Sequence, residues 1–304
     1  MNSALVVARK DFEDAIRSRG LLLLAAVFVV FFVASSYFFA DRVTEAIQQQ
    51  AAQQGQQAAI TSDSYLQALT QITRLLVPLV GIVVAYAAIV GERESGTLKL
   101  LLALPQSRRD VVVGKFVGRS GVLTLPVLLG FLAAAPTFPL SGVTFKPLHY
   151  AAFALLTIGI GLVFVALSLG ASAMASTSRR AVVGIFGLYA LFTLLWGQVA
   201  RSVPNVLSNE TDLATSTVFD AWVTVHHLNP IAAYQSLVGG IGPSSTLMAR
   251  VSVLSGNRLQ NQLYAQQLQE VPVYLSDAAL VVYLGLWVLL PLLAGYAVFR
   301  RADL

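Results

Sequence analysis

Apolar runs of about 20 residues or slightly fewer recur along this chain, separated by polar connections. They lie at Gly20–Ala40, Leu75–Val90, Gly121–Leu140, Tyr150–Ala173, Ala181–Ala200 and Ala278–Phe299. A helix needs about 20 residues to cross a hydrocarbon core of about 30 Å. The pattern therefore predicts an all-α polytopic membrane protein with six transmembrane helices. The second run is short, and Leu69 and Ile72 extend it, with Arg74 near its outer end. As bounded here, none of the six contains Asp, Glu, Lys, Arg or His. The first run is long, lacks a small-residue cleavage pattern, and follows a segment of mixed charge, so it does not read as a cleaved signal peptide.

The polar connections have patterns of their own. In Ser3–Arg19, Leu5, Ala8, Phe12, Ala15 and Ile16 fall on one helical face, with Arg9, Lys10, Glu13, Asp14 and Arg17 elsewhere. This predicts an amphipathic interfacial helix, either a membrane anchor or a collar that braces a cytosolic partner. The loop Asp41–Thr70 is rich in Gln and Ala and reads either as helical extensions meeting around Gly55 or as a flexible loop. The connection Arg201–Asp277 is too long for a plain linker. Within it, Trp222–Leu237 is expected to form an interfacial or re-entrant helix near His226-His227-Leu228-Asn229-Pro230. Three parts follow: residues 1–200 with five spans, the N-terminal helix and a coupling loop at 91–116; an extracytoplasmic segment at 201–277; and residues 278–304 with the sixth span and a basic tail.

Composition agrees with a bilayer. Of 304 residues, 56% are hydrophobic and 12% charged, with mean hydropathy +0.72, whereas soluble domains carry about 25% charged residues. Cysteine is absent, which excludes disulfides, thiolate metal sites and cysteine nucleophiles. Most of the 20 basic residues, Arg9, Lys10, Arg93, Arg108, Arg179 and Arg300 among them, fall in segments that share one side. The positive-inside rule then puts both termini in the cytosol, with the chain in the plasma membrane.

Uncharged spans disfavour an ion-coupled transporter, which needs a titratable group at membrane depth. Gly114-Lys115 is followed by Phe116 rather than a hydroxyl residue, so the chain has no phosphate loop and is not expected to hydrolyse nucleotide itself. HExxH is absent, and Ser168 and Ser172 have no histidine within a span to activate them. The pair His226-His227 could contribute to a metal site, but adjacent side chains seldom meet one ion well; no metal site and no nucleic-acid partner are expected. Small residues four apart, Gly81/Ala85, Ala166/Gly170 and Gly114/Gly118, permit close helix approach, within one subunit or between two. Pro78, Pro126 and Pro291 can kink their helices.

The most informative connection is GERESGTLKLLLALPQSRRD, Gly91–Asp110. Glu92, Arg93 and Glu94 leave the second span. Thr97 can cap a short helix whose Leu98, Leu101 and Leu102 share an apolar face, and Pro105 stops it. Ser107 and Asp110 form a capping arrangement for the next helix. The result is an elbow whose leucines suit either a protein groove or this subunit's own neighbours.

The stretch Glu92-Arg93-Glu94-Ser95-Gly96-Thr97-Leu98-Lys99-Leu100-Leu101-Leu102-Ala103-Leu104-Pro105, with Arg108 and Gly114-Lys115 beyond it, resembles the signature of type-2 ABC exporter permeases. The six-span layout and the long segment before the last span are similar to that family too. The resemblance implies a transmembrane subunit whose coupling helix docks in a cleft of a separate cytosolic ABC ATPase subunit. Glu92, Glu94, Gly96 and Thr97 would shape the elbow, and Leu98, Leu101 and Leu102 would enter the partner's groove. Two copies, or one copy and a paralogue, would pair with two ATPases, and ATP and Mg²⁺ would reside in those partners, so this chain needs no cofactor. Two alternatives remain: a membrane scaffold using the ATPase to act on an extracellular partner, and an ion-coupled secondary transporter. The sequence names no substrate.

Overall fold

The computed structural model describes residues 3–43, 45, 61–98, 106–210, 214–242, 245–255, 257–268 and 270–301. Among these residues the chain is helical throughout, apart from short turns and one isolated bridge between Thr61 and Thr144. Six helices are long and apolar enough to cross a membrane. They are span 1 (Arg19–Asp41), span 2 (Ser62–Glu94), span 3 (Arg108–Leu140), span 4 (Pro147–Met174), span 5 (Ser178–Ser208) and span 6 (Asp277–Arg301).

All six expected spans are present, and all outrun their apolar windows, spans 2, 3 and 5 by more than ten residues each. Span 2 covers 33 residues and span 5 covers 31, about 50 and 46 Å of helix at 1.5 Å per residue. Hydropathy marks where a helix is greasy, whereas caps mark where it starts. Ser18, Ser107 and Thr177 each accept a backbone N–H at a helix N-terminus. One consequence corrects the picture of charge-free spans: the helices as folded include Asp63, Arg74, Lys115, Arg119 and Arg201.

Span 4 is the hub. Its apolar window is 72% buried, against 22% for span 1, 17% for span 6 and 11% for span 5. Without a hydrophobic drive between helices in lipid, close approach at small residues supplies the packing. A Cβ on Gly170 would sit 2.5 Å from the Pro291 carbonyl oxygen, and one on Gly295 would sit 2.8 Å from the Gly170 Cα, so spans 4 and 6 touch backbone to backbone. Gly81 and Gly161 play the same part between spans 2 and 4.

The N-terminal helix, Ser3–Ile16, lies against span 3. Gly114 and Gly118 meet Ala4, Val7, Ala8 and Asp11, and Gly121 receives the Phe12 ring. Val7 and Ala8 are buried, while Leu5 and Ile16 stay exposed. The expected single apolar stripe is thus divided between a protein groove and an open side.

Between spans 5 and 6 lies a block of short helices at the end of the molecule away from the N-terminal helix. The fifth helix runs through Ala200 to Glu210. In place of one helix over Trp222–Leu237 there are two, Thr215–His227 and Pro230–Gly239. Pro230 cannot continue a helix from its N-terminal side, and Asn229 caps the new one by accepting from the Ile231 N–H at 2.8 Å. Helices Thr246–Ser252 and Arg258–Leu268 complete the block. Arg250, fully buried, ties it to span 6: it donates to the carbonyls of Leu275 (2.6 Å) and Ser236 (3.0 Å) and pairs with Asp277. His227 engages Val223 O (2.8 Å) and Ser236 Oγ (3.2 Å) through its two ring nitrogens, and burial pushes its pKa down to about 3. Most of the Gln-rich stretch around Gly55 lies outside the described residues.

Gly170→Val should lower the unfolding midpoint in detergent, by about 1–3 kcal/mol of overpacking. Gly159→Ala, where a Cβ meets nothing within 4 Å, should leave it unchanged; equal melting of the two variants would contradict the backbone contact.

Candidate functional site

Span 2 is regular to Ala85, turns through Tyr86–Ile89, and resumes as the short helix Val90–Glu94. A break of this kind frees backbone donors that need partners. Ser172 of span 4, fully buried, supplies one: its Oγ accepts the N–H groups of Ile89 (3.1 Å) and Val90 (3.0 Å). The sequence offered Ser172 only as a hydroxyl without a base; its position beside the break makes it a backbone acceptor.

The three charged residues after the break each reach a different part of the molecule. Glu92 Oε1 accepts from Lys115 Nζ of span 3 at 2.7 Å. Arg93 Nη1 donates to the Ala175 carbonyl at the end of span 4, 2.7 Å away. Glu94 accepts the backbone N–H of Ser178 at 2.8 Å and the hydroxyl of the same residue, holding the first turn of span 5. A carboxylate at that helix N-terminus also faces the favourable end of the dipole.

Gly96 then turns the chain with φ +76°, in the left-handed region where a side chain is strained. Thr97 Oγ1 lies 2.9 Å from Ser95 Oγ and 3.4 Å from the Glu92 carbonyl it donates to, which closes the turn. Leu98 departs from expectation. It is 1% exposed and packs with Ile89, Val111, Leu169 and Phe299 in a small core of this chain. Its side chain is already enclosed by spans 3, 4 and 6, so it has no surface left for a partner's groove. Leu101 and Leu102 lie outside the described residues, as does the whole of 99–105.

Beyond that stretch, Ser107 and Asp110 form the expected capping box. Arg108 donates to the carbonyls of Phe299 (2.6 Å) and Arg300 (3.0 Å), closing the C-terminus of span 6, and sits 5.5 Å from the Phe299 ring centroid.

A charge cluster joins the elbow to the N-terminal helix. Lys115, 2% exposed, lies between Glu92 and Asp11, with Asp11 Oδ1 3.7 Å from its ammonium. Arg119 Nη2 donates to Asp11 Oδ1 at 3.1 Å, its Nε lies 2.9 Å from Asp11 Oδ2, and its Nη1 donates to the Val84 carbonyl at 3.1 Å. Two acids balance two bases, so the cluster is neutral where it is least hydrated. Asp11 and Arg119 are too far apart in sequence for any local pattern to pair them.

Glu92, Glu94, Gly96 and Thr97 therefore form one structure. It is fastened to the N-terminal helix and to spans 3, 4 and 5, and Leu98 and Arg108 add span 6. The family model described as "ABC-2 family transporter protein" matches residues 5–304. The chain belongs to the ABC-2 transporter family. It is 29% identical over 306 residues to the "Probable ABC transporter permease protein NosY" of Stutzerimonas stutzeri, covering 99% of both chains. The protein of the same description from Pseudomonas aeruginosa is also 29% identical over 306 residues, covering 98% of each. As a permease of this family the chain is the membrane component of a transporter, and a non-enzymatic one.

Lys115→Met leaves two carboxylates without their shared cation, and breaking a buried pair from one side costs about 3–5 kcal/mol. Thermal unfolding of the purified permease should show a loss of that order. Adding Glu92→Gln should recover part of it, and strictly additive losses would speak against the pairing.

Proposed function

We propose that this permease is the transmembrane subunit of an ATP-driven exporter whose elbow docks on a separate ATP-binding subunit. The chain sits in the plasma membrane with both termini and the elbow in the cytosol, as the distribution of basic residues favours. Two copies, or this chain and a paralogue, enclose a path between them. ATP and Mg²⁺ belong to the partner, and each closure of the ATPase pair moves the elbows.

The observation that supports this reading is the fastening of the elbow. A displacement applied at 92–98 acts on span 3 through Lys115, on span 4 through Ser172 and Ala175, and on span 5 through the Glu94–Ser178 cap. A loop that merely joined spans 2 and 3 would not need attachments to the C-terminus of span 4 and the N-terminus of span 5. With Leu98 enclosed in the chain's own core, the docking face falls to Leu101 and Leu102, whose apolar side chains follow in the sequence. Export as the direction, and the coupling itself, rest on the resemblance of Glu92–Pro105 to exporter permeases.

Leu101→Asp should abolish co-purification with the ATPase subunit and leave membrane insertion intact; undiminished association would refute docking at this face. Gly96→Val, which forces a β-branched residue into a φ of +76°, should cut ATP-driven transport into inverted vesicles at least tenfold while the complex still assembles. ATP turnover without any substrate accumulation in wild-type vesicles would instead favour a scaffold acting on an extracellular partner.

A further inference from the structure

At the ends of spans 2 and 5 remote from the elbow, two cavities share Gln71, Gln235, Ser252 and Val253 in their walls. One, of about 490 Å³, is lined by neutral side chains such as Gln67, Thr70 and Asn261. The other, of about 480 Å³, is cationic through Arg74 of span 2 and Arg201 of span 5, with His226 of the block beside them, and none of its described lining residues is acidic.

Neither arginine has an ion pair among the described residues, in contrast to Lys115, Arg119 and Arg250, which all do. Arg74 Nε and His226 Nδ1 are shielded from solvent and have no hydrogen-bond partner among the described residues. Burial lowers the His226 pKa, a backbone hydrogen bond to Val253 opposes that, and the Arg201 charge lowers it further. That last effect places Arg201 within electrostatic reach of the imidazole. Arg74 is half-buried, and positive charge held against an apolar bundle is unfavourable without a counter-ion; Arg201 beside it is exposed, so the pair stays open to an anion from outside.

The backbone at this wall is also irregular. Leu191–Leu195 forms a π-helical turn in span 5, and Phe192, Thr193 and Leu194 from it line the cationic cavity. Such turns often accompany functional sites. Asn229 Nδ2 donates to the Phe192 carbonyl at 2.8 Å, fixing the turn against the block. The cavity is thus bounded by braced elements, and its cations are the part left without partners.

We propose that this cavity binds an oxyanion, a phosphate-, sulfate- or carboxylate-type group, between Arg74 and Arg201 with His226 beside it. Guanidinium groups match such anions in charge and in the geometry of paired N–H donors. The anion is either a free solute or the phosphate of a lipid headgroup, and the assignment stands apart from the direction of transport.

The test uses the full-length permease, delipidated in a maltoside detergent, with radiolabelled sulfate and inorganic phosphate at constant ionic strength. A parallel arm measures retention of phosphatidylglycerol against phosphatidylcholine by native mass spectrometry. Wild type should show saturable binding of an inorganic anion, which assigns a solute site, or selective retention of phosphatidylglycerol alone, which assigns a headgroup. Arg74→Gln and Arg201→Gln should each weaken that binding at least tenfold, and Arg9→Gln, at an exposed position on the N-terminal helix, should not change it. Arg74→Lys keeps the charge and should retain measurable, weaker binding, which separates loss of the site from loss of the fold. Absence of both kinds of binding in wild type, or unchanged affinity in the folded glutamine variants, would overturn the assignment.

Discussion

A backbone amide or carbonyl facing lipid has no water to turn to, so wherever a span breaks or ends, its polar groups must find partners inside the protein. The architecture of this permease follows from how that demand is met. The break at Tyr86–Ile89 is met by Ser172 of span 4. The start of span 5 is met by Glu94, the end of span 4 by Arg93 and the end of span 6 by Arg108. The π-helical turn at Leu191–Leu195 is met by Asn229. In every case the partner comes from a different element, so the requirement to satisfy the backbone also joins the elements mechanically.

Close packing supplies the rest of the rigidity. Gly170 against Pro291, Gly161 against Val77 and Leu123, and Gly114 and Gly118 against the N-terminal helix all bring helices nearer than a side chain would allow. Span 4 gathers most of these contacts, whereas spans 5 and 6 leave most of their apolar windows uncovered. Lipid covers such faces, and in the proposed dimer a second subunit would cover part of them. A buried hub with exposed outer spans allows the outer spans to shift while the hub stays packed.

Much of this could be read in the sequence because it depends on local patterns. Apolar runs located all six spans, and Ser107 with Asp110 located the start of span 3. Glu92, Glu94, Gly96 and Thr97 were found through a motif whose members are contiguous. What was missed depends on pairs remote in sequence. Asp11 meets Arg119, Arg93 meets Ala175, and Arg250 meets Ser236, Leu275 and Asp277. No periodicity encodes those pairs. Leu98 shows the complementary limit: helical spacing grouped it with Leu101 and Leu102, but spacing cannot say that Leu98 itself turns inward. Arg74 was placed near the outer end of the second span from the sequence, whereas Asp63, Lys115, Arg119 and Arg201 were missed because the helices extend beyond their apolar windows.

Spans 2 and 5 meet three times, and the spacing of the meetings matters. At the elbow, Glu94 holds Ser178. At the outer end of the apolar run of span 2, next to Arg74, the Leu75 carbonyl accepts from the Tyr189 hydroxyl at 3.1 Å. At the far end, Arg74 and Arg201 face one cavity. Twenty residues separate Arg74 from Glu94, a helical distance of about 30 Å. The same two helices therefore carry the elbow contact at one end and the cationic wall at the other. In the proposed coupling, a partner ATPase that moves Glu94 would move span 5 through its capped first turn, while the Tyr189–Leu75 bond holds the two helices together beside the cavity. Such a movement would change the separation of the two guanidinium groups, and with it the affinity of the proposed anion site. In that reading the two ends need no titratable relay through the bilayer, because span 2, its turn at Tyr86–Ile89 held by Ser172, is bonded to span 5 at both.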